Sequence, residues 1–254
     1  MLRRAGIGEE GVPGRRSKAY SAQGATVRAV AGGHGLNVVG SVLAAADRGA
    51  QIRGEMIDFR PTDLRGSLRR GQESNLIVFL VDASGSMAAR DRLSAVTGAV
   101  VSLLRDAYQR RDKVAVISVR GRAPEILLPP TGSIEVAVRR MAHAATGGRT
   151  PLAQGLLLAE ELIEREHRKE PGRRAMLVVL SDGRDTSAAG VAGVRRAATQ
   201  ISRRGLAGSL VVDCERGGRV TLGLAKELAR GLVGAYAKLD ELDAESLSGI
   251  IDAV

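Results

Sequence analysis

The stretch Asn75-Leu76-Ile77-Val78-Phe79-Leu80-Val81-Asp82-Ala83-Ser84-Gly85-Ser86-Met87 joins an unbroken apolar run to a loop of small polar residues. A run of this length suits a strand buried on both faces, as in a parallel sheet. Comparable runs recur at 114–119, 176–180 and 210–212. Between them the apolar residues take helical spacing. Leu93, Val96, Val100, Leu103, Leu104 and Ala107 share one face, as do Leu152, Leu156, Ala159, Leu162 and Ile163. Val191, Val194, Ala198 and Ile201 form a third stripe that stops at Gly205, and Leu222, Ala225, Leu228 and Ala229 form a fourth. Strands alternating with helices predict an α/β fold with a doubly wound, mainly parallel sheet and helices on both faces. Ligands in such sheets sit outside the carboxyl ends of the strands.

The pattern divides the chain. Residues 74–254 carry the alternation, and residues 1–73 read as a basic, partly irregular extension. Residues 1–74 hold 12 Arg or Lys against 7 Asp or Glu, and the rest hold 26 against 21, so each part carries +5 and the shorter front is the more basic. The Gly11-Val12-Pro13-Gly14-Arg15-Arg16-Ser17 and Gly32-Gly33-His34-Gly35 stretches read as loop, with residues 1–20 expected to be disordered. A short helix is expected over 38–47 and an edge strand over 51–59.

Composition narrows the function classes. The chain has 254 residues, 44% hydrophobic and 26% charged, which excludes a wholly disordered or collagen-like protein. No apolar run reaches the ~20 residues of a membrane helix. The single Cys214 excludes an internal disulfide and a multi-cysteine zinc site. With no signal-like apolar stretch at the front, the expected location is the cytoplasm. The net charge of +10 could serve a nucleic acid, an acidic partner or a membrane surface. Aromatics are 2% of the chain, so bases have little to stack on and nucleic acid is disfavoured.

Asp82, Ser84 and Ser86 alternate along the loop that leaves the first run, so one carboxylate and two hydroxyls can turn toward one point. Such an all-oxygen set suits a hard cation. Thr150, at the end of the Gly-rich loop 146–150, and Asp182, just after the run 176–180, can complete it. Thr146 competes with Thr150 as ligand, and Thr150 could equally cap the helix that follows it. Asp185 could support the site or merely be exposed. Arg149 and Arg184 flank the proposed cation, where they would repel it, and so suit an acidic partner or a pairing with Asp185. His34, His143 and His167 are scattered without a second ligand at metal spacing. A hydrolase is disfavoured because Gly-x-Ser-x-Gly is absent.

Asp82-x-Ser84-x-Ser86, Thr150 and Asp182 resemble the metal-ion-dependent adhesion site (MIDAS) of von Willebrand factor A domains. The surrounding wording (79–90, 107–114, 127–131, 147–152 and 181–184) resembles the C-terminal, integrin I-like domain of the magnesium-chelatase D subunit and its cobaltochelatase relatives. The resemblance implies that Ser84, Ser86 and Thr150 ligate Mg²⁺, with Mn²⁺ as a possible substitute. Asp82 and Asp182 would act directly or through water, and a partner's Asp or Glu would fill an open position. It further implies a non-catalytic subunit that couples an AAA+ ATPase to a large porphyrin-binding subunit, in magnesium or cobalt insertion for chlorophyll or cobalamin synthesis. A full D subunit carries an AAA+-like domain as well. No GxxxxGK[ST] occurs here, so no ATP site is expected in this chain. The alternative is a von Willebrand A module acting with a MoxR-type ATPase in protein assembly or maturation.

Overall fold

The structure is a computed structural model that describes residues 13–54, 56–83, 105, 112–133, 136, 139, 147–215 and 222–239. The helical stripe over 93–107, Ser84, Ser86, His143 and Thr146 lie outside the described residues. Two compact units are present, one built on Arg4–Glu73 and the other on Ser74–Val254.

The larger unit holds six strands: β5 (Asn75–Asp82), β6 (Lys113–Val119), β7 (Glu125–Thr131), β8 (Arg174–Ser181), β9 (Ala207–Asp213) and β10 (Ala235–Lys238). Their spatial order is β10-β9-β8-β5-β6-β7. All neighbours pair in parallel except β6 and β7. This is the mostly parallel α/β sheet expected from the sequence. Strands β7 and β10 were missed. Pro129 and Pro130 interrupt the pattern of β7 and are tolerated because it is an edge strand with an irregular register. Strand β10 spans only four residues.

Three helices follow the predicted stripes: α2 (Leu152–Lys169), α3 (Gly190–Arg204) and α4 (Leu224–Gly231). Gly205 ends α3 in the left-handed conformation, φ 62°, which costs a residue without a Cβ nothing. All three helices pack on one sheet face through Leu152, Leu156, Leu162, Val194, Ile201 and Leu228, against Leu80, Ile117 and Val179. On the other face Ile77, Phe79, Val116, Val178 and Leu210 are also buried. Each such side chain, fully removed from water, contributes roughly 1.5–3 kcal/mol.

The smaller unit differs from the expected irregular extension. Strand β1 (Pro13–Val30) pairs antiparallel with β4 (Gly66–Glu73), with register shifts along it. The chain is therefore strand from Pro13 onward, where a loop at 11–17 and disorder through residue 20 were expected. The partner strand β4 supplies ladder hydrogen bonds that local composition does not reveal. Helix α1 (Val38–Asp47) forms as expected, with the Asn37 side chain accepting the Gly40 N–H at 2.8 Å. Residues 51–59 form a short antiparallel pair, β2 (Ile52–Arg53) and β3 (Met56–Ile57), not one edge strand. The buried Asp63 takes Arg48 in a fork, Nε to Oδ1 at 2.9 Å and Nη2 to Oδ2 at 2.8 Å. This hydrogen-bonded pairing holds the Asp63 carboxyl at a pKa of about 2.

An ion network closes the amino end of the main sheet. Glu170 accepts from Arg173 Nε and from Lys113 Nζ, each at 2.7 Å. The Arg173 guanidinium, then the sheet lysine, hold the Glu170 carboxyl at about 2, below its ordinary 4.5. A depressed carboxylate adds stability above the ordinary value and loses it as pH falls through the depressed one. Glu170→Gln should therefore lower stability at pH 7 by about 1–3 kcal/mol. It should also flatten the loss of stability between about pH 5 and 2, read by urea denaturation across that range.

Candidate metal centre at the sheet's switch point

Going outward from β5, the chain places β6 on one side and then returns to place β8 on the other. The order reverses between β5 and β8, so the carboxyl ends of these two strands border the crevice where such folds bind ligands. Asp82 is the last residue of β5, and Asp182 follows the last residue of β8. The register pairs Val81 with Leu180, so the two acids leave neighbouring strands at nearly the same height.

Asp82 is half-buried and its Oδ2 accepts the Ser181 hydroxyl at 3.1 Å. The same Ser181 Oγ accepts the Gly183 N–H at 3.1 Å. Gly183 has φ +80°, and a Cβ there would fall 2.5 Å from Ala225 N. Only glycine lets the loop after β8 pass so close to the start of α4. Asp182, also half-buried, accepts the Arg184 N–H at 2.9 Å, and Arg184 Nε lies 3.5 Å from its other oxygen.

Thr150 is buried at 4% exposure. Its N–H donates to Thr186 Oγ1 at 2.7 Å and its carbonyl accepts the Thr186 N–H at 3.0 Å. The Gly147 N–H donates to the Ala83 carbonyl at 2.9 Å. The three loops that follow Asp82, precede α2 and follow Ser181 are thus hydrogen-bonded to one another. They bring Asp82, Thr150 and Asp182 to one end of the sheet.

Asp185 has a definite task. Its Oδ2 accepts the Ala153 N–H at 2.8 Å and its Oδ1 the Ser187 N–H at 2.6 Å. It therefore satisfies an orphan donor in the first turn of α2 from a different loop, a task that Thr150 was also able to fill from the sequence. The N-cap position belongs to Pro151. Arg184 pairs with Asp182 and, at 3.8 Å, with Glu215, and not with Asp185. Arg149 is exposed.

Several contributors escaped the sequence reading. Ser181 orients Asp82. Glu215 accepts the Leu222 N–H at 3.0 Å and faces Arg184. Asp213 ends β9 and accepts the Tyr236 hydroxyl at 2.7 Å. The signal for Asp213 was present, since an acid directly follows an apolar run in Val212-Asp213 as in Val81-Asp82.

The described donors fit a hard divalent cation. They are carboxylate and hydroxyl oxygens with no sulfur or imidazole among them. Among the described residues no three His, Cys, Asp or Glu side chains gather at one point. The fit thus depends on hydroxyls joining the two carboxylates.

Comparison with known proteins agrees with this fold. Residues 77–184 match the von Willebrand factor type A domain. An uncharacterized protein of Methanocaldococcus jannaschii is 34% identical over 167 residues, covering 65% of this chain and 95% of its own length. The chain therefore contains a von Willebrand factor type A domain. Over most of its length it is also similar to magnesium-chelatase subunits. The 60 kDa subunit of Cereibacter sphaeroides is 37% identical over 229 residues, 86% of this chain and 40% of that protein. An uncharacterized protein of Mycobacterium tuberculosis is 49% identical over 251 residues, 97% of this chain and 39% of its own. The chain spans about two fifths of the length of these last two relatives. An aerotolerance-related membrane protein from Bacteroides fragilis shares the fold, with a TM-score of 0.56 at 20% identity over 71% of this chain and 98% of that one. Among the described residues no helix is long and apolar enough to cross a membrane.

If Asp185 serves α2 as its cap, Asp185→Ala should lower stability by about 1 kcal/mol. Asp185→Asn, which keeps an acceptor oxygen, should recover most of the loss. Thermal melts of the two variants check this.

Proposed function

We propose that this chain is the metal-dependent interaction module of an ATP-driven tetrapyrrole chelatase. In this reading it links an AAA+ subunit to the large subunit that holds the porphyrin. The supporting observation is the convergence of Asp82, Thr150 and Asp182 at the β5/β8 switch point, in a chain similar to chelatase subunits over most of its length. Asp82, Ser84, Ser86, Thr150 and Asp182 would hold Mg²⁺, with Mn²⁺ able to replace it. The bound ion would offer an open coordination position to an Asp or Glu of the partner. It is distinct from the magnesium or cobalt that the assembly inserts.

The protein's own groups prepare that contact. The Ser181 hydroxyl fixes one Asp82 oxygen. The Arg184 N–H and guanidinium hold Asp182, so this carboxylate has its charge shared before any ion arrives. A half-shared carboxylate suits contact through water, in keeping with Mg²⁺ retaining several waters. Arg149 is exposed beside Thr150, and together with Arg184 it favours the approach of an acidic surface. Asp185 is engaged by the backbone of α2. We read the chain as a non-catalytic subunit of a cytoplasmic assembly.

Affinity purification of the full chain from its own cell lysate tests the reading, in Mg²⁺, in EDTA and with Asp82→Ala. The expected result is recovery of a chelatase subunit or its AAA+ partner only with Mg²⁺ and intact Asp82. Equal recovery by the variant would overturn the metal-mediated contact. Recovery of a MoxR-type ATPase in its place would overturn the chelatase assignment.

A further inference from the structure

Helix α3 is sharply two-sided. Gly193, Val194, Ala197, Ala198 and Ile201 are buried. The outward side is Arg195, Arg196, Thr199, Gln200, Arg203 and Arg204, and these six line a surface hollow of about 510 Å³. Every side chain on it can donate a hydrogen bond, and none of the six is acidic.

The four arginines are not equivalent. Arg195 is paired with Glu227 of α4 at 2.8 Å. Arg204 reaches Glu164 of α2 at 2.6 Å and Glu160 at 2.9 Å. Gln200 donates to the other Glu160 oxygen at 2.6 Å. Both flanks of the hollow are thus neutralised by the neighbouring helices. Arg196 and Arg203, along its crest, have no ion pair or hydrogen bond among the described residues. A position in the last turn accounts for Arg203, where a cation meets the negative helix end. It does not account for Arg196, two turns earlier.

Arg196 and Arg203 are seven residues apart, which is two turns and about 10 Å along the axis. Carboxylates seven residues apart on a partner helix repeat that spacing. Each guanidinium presents a planar fork that matches one carboxylate. We infer that the outer face of α3 is a docking surface for an acidic protein segment, with Arg196 and Arg203 as its two anchors. This surface is separate from the metal site and stands whether or not that reading holds. A nucleic-acid strand fits it less well. Glu160, Glu164 and Glu227 border the hollow, and a continuous polyphosphate would have to cross one of those acidic flanks. No aromatic side chain lines it to stack a base.

The test uses the full chain and a labelled twelve-residue helical peptide with glutamates seven positions apart, followed by fluorescence anisotropy in low and moderate salt. A duplex DNA of the same charge is run in parallel. Arg196→Ala/Arg203→Ala should weaken peptide binding about tenfold at low salt. Removing two exposed cations of the same unit that do not line the hollow, Arg122→Ala/Lys238→Ala, should change it less than about twofold. Alanine is the best helix former and the control positions are exposed, so circular dichroism of both variants should match the parent. Equal losses in the two double variants would mean that only net charge matters, and would overturn the proposal. So would unchanged peptide binding in the α3 variant, or DNA binding that is lost through Arg196 and Arg203 while the peptide is ignored.

Discussion

Strand β5 is held in parallel register on both flanks, by β6 from Leu76 to Asp82 and by β8 from Asn75 to Val81. The candidate site depends on this pairing. A slip of one residue would exchange the two faces of the strand. It would place Ile77 and Phe79 where Val78 and Leu80 now meet the helices. Because both faces are buried, the register is fixed from both sides, and the position of Asp82 is fixed with it. The carboxylate is therefore delivered to the switch point by a rigid element.

The other site residues reach the same point by a softer route. Thr150 and Asp182 lie in loops, and these are positioned by hydrogen bonds between loops and by the close approach of Gly183 to α4. Asp185 shows how closely the scaffold and the site are combined. One carboxylate serves the first turn of α2 and the turn after Asp182 together. Arg184 likewise joins Asp182 to Glu215, and so connects the loop after β8 to the one after β9. In the proposed site Arg184 is thus already held in place, which would reduce the ordering cost of binding an acidic partner.

The same economy of charge runs through the rest of the described chain. Net positive charge suggested a diffuse basic surface, but many of the arginines have particular partners. Arg48 is committed to Asp63, Arg173 to Glu170 and Ser74, and Arg204 to two glutamates of α2. The arginines left over are the informative ones. Arg196 and Arg203 on α3 and Arg149 beside the proposed metal centre are among them, and each place suits a carboxylate from outside.

The sequence by itself determined the elements whose signal is local. Apolar runs of five or six marked β5, β6 and β8, because both faces of a central parallel strand are desolvated. The 3.6-residue stripes marked α2, α3 and α4, and Asp82, Thr150 and Asp182 stood out as oxygen donors next to those elements. Residues whose role comes from a distant partner were not legible. Strand β1 begins in the basic Pro13-Gly14-Arg15-Arg16 stretch that reads as loop, and it is a strand because β4, more than thirty residues on, completes its hydrogen bonds. Strands β7 and β10 are edges, where half of the pattern is absent. The cap on α2 comes from Asp185, thirty-two residues after the N–H it satisfies, and no local spacing rule contains such a pair. Only the tertiary structure decided these, because hydrogen bonds between remote segments exist only once each unit has folded and brought those segments together.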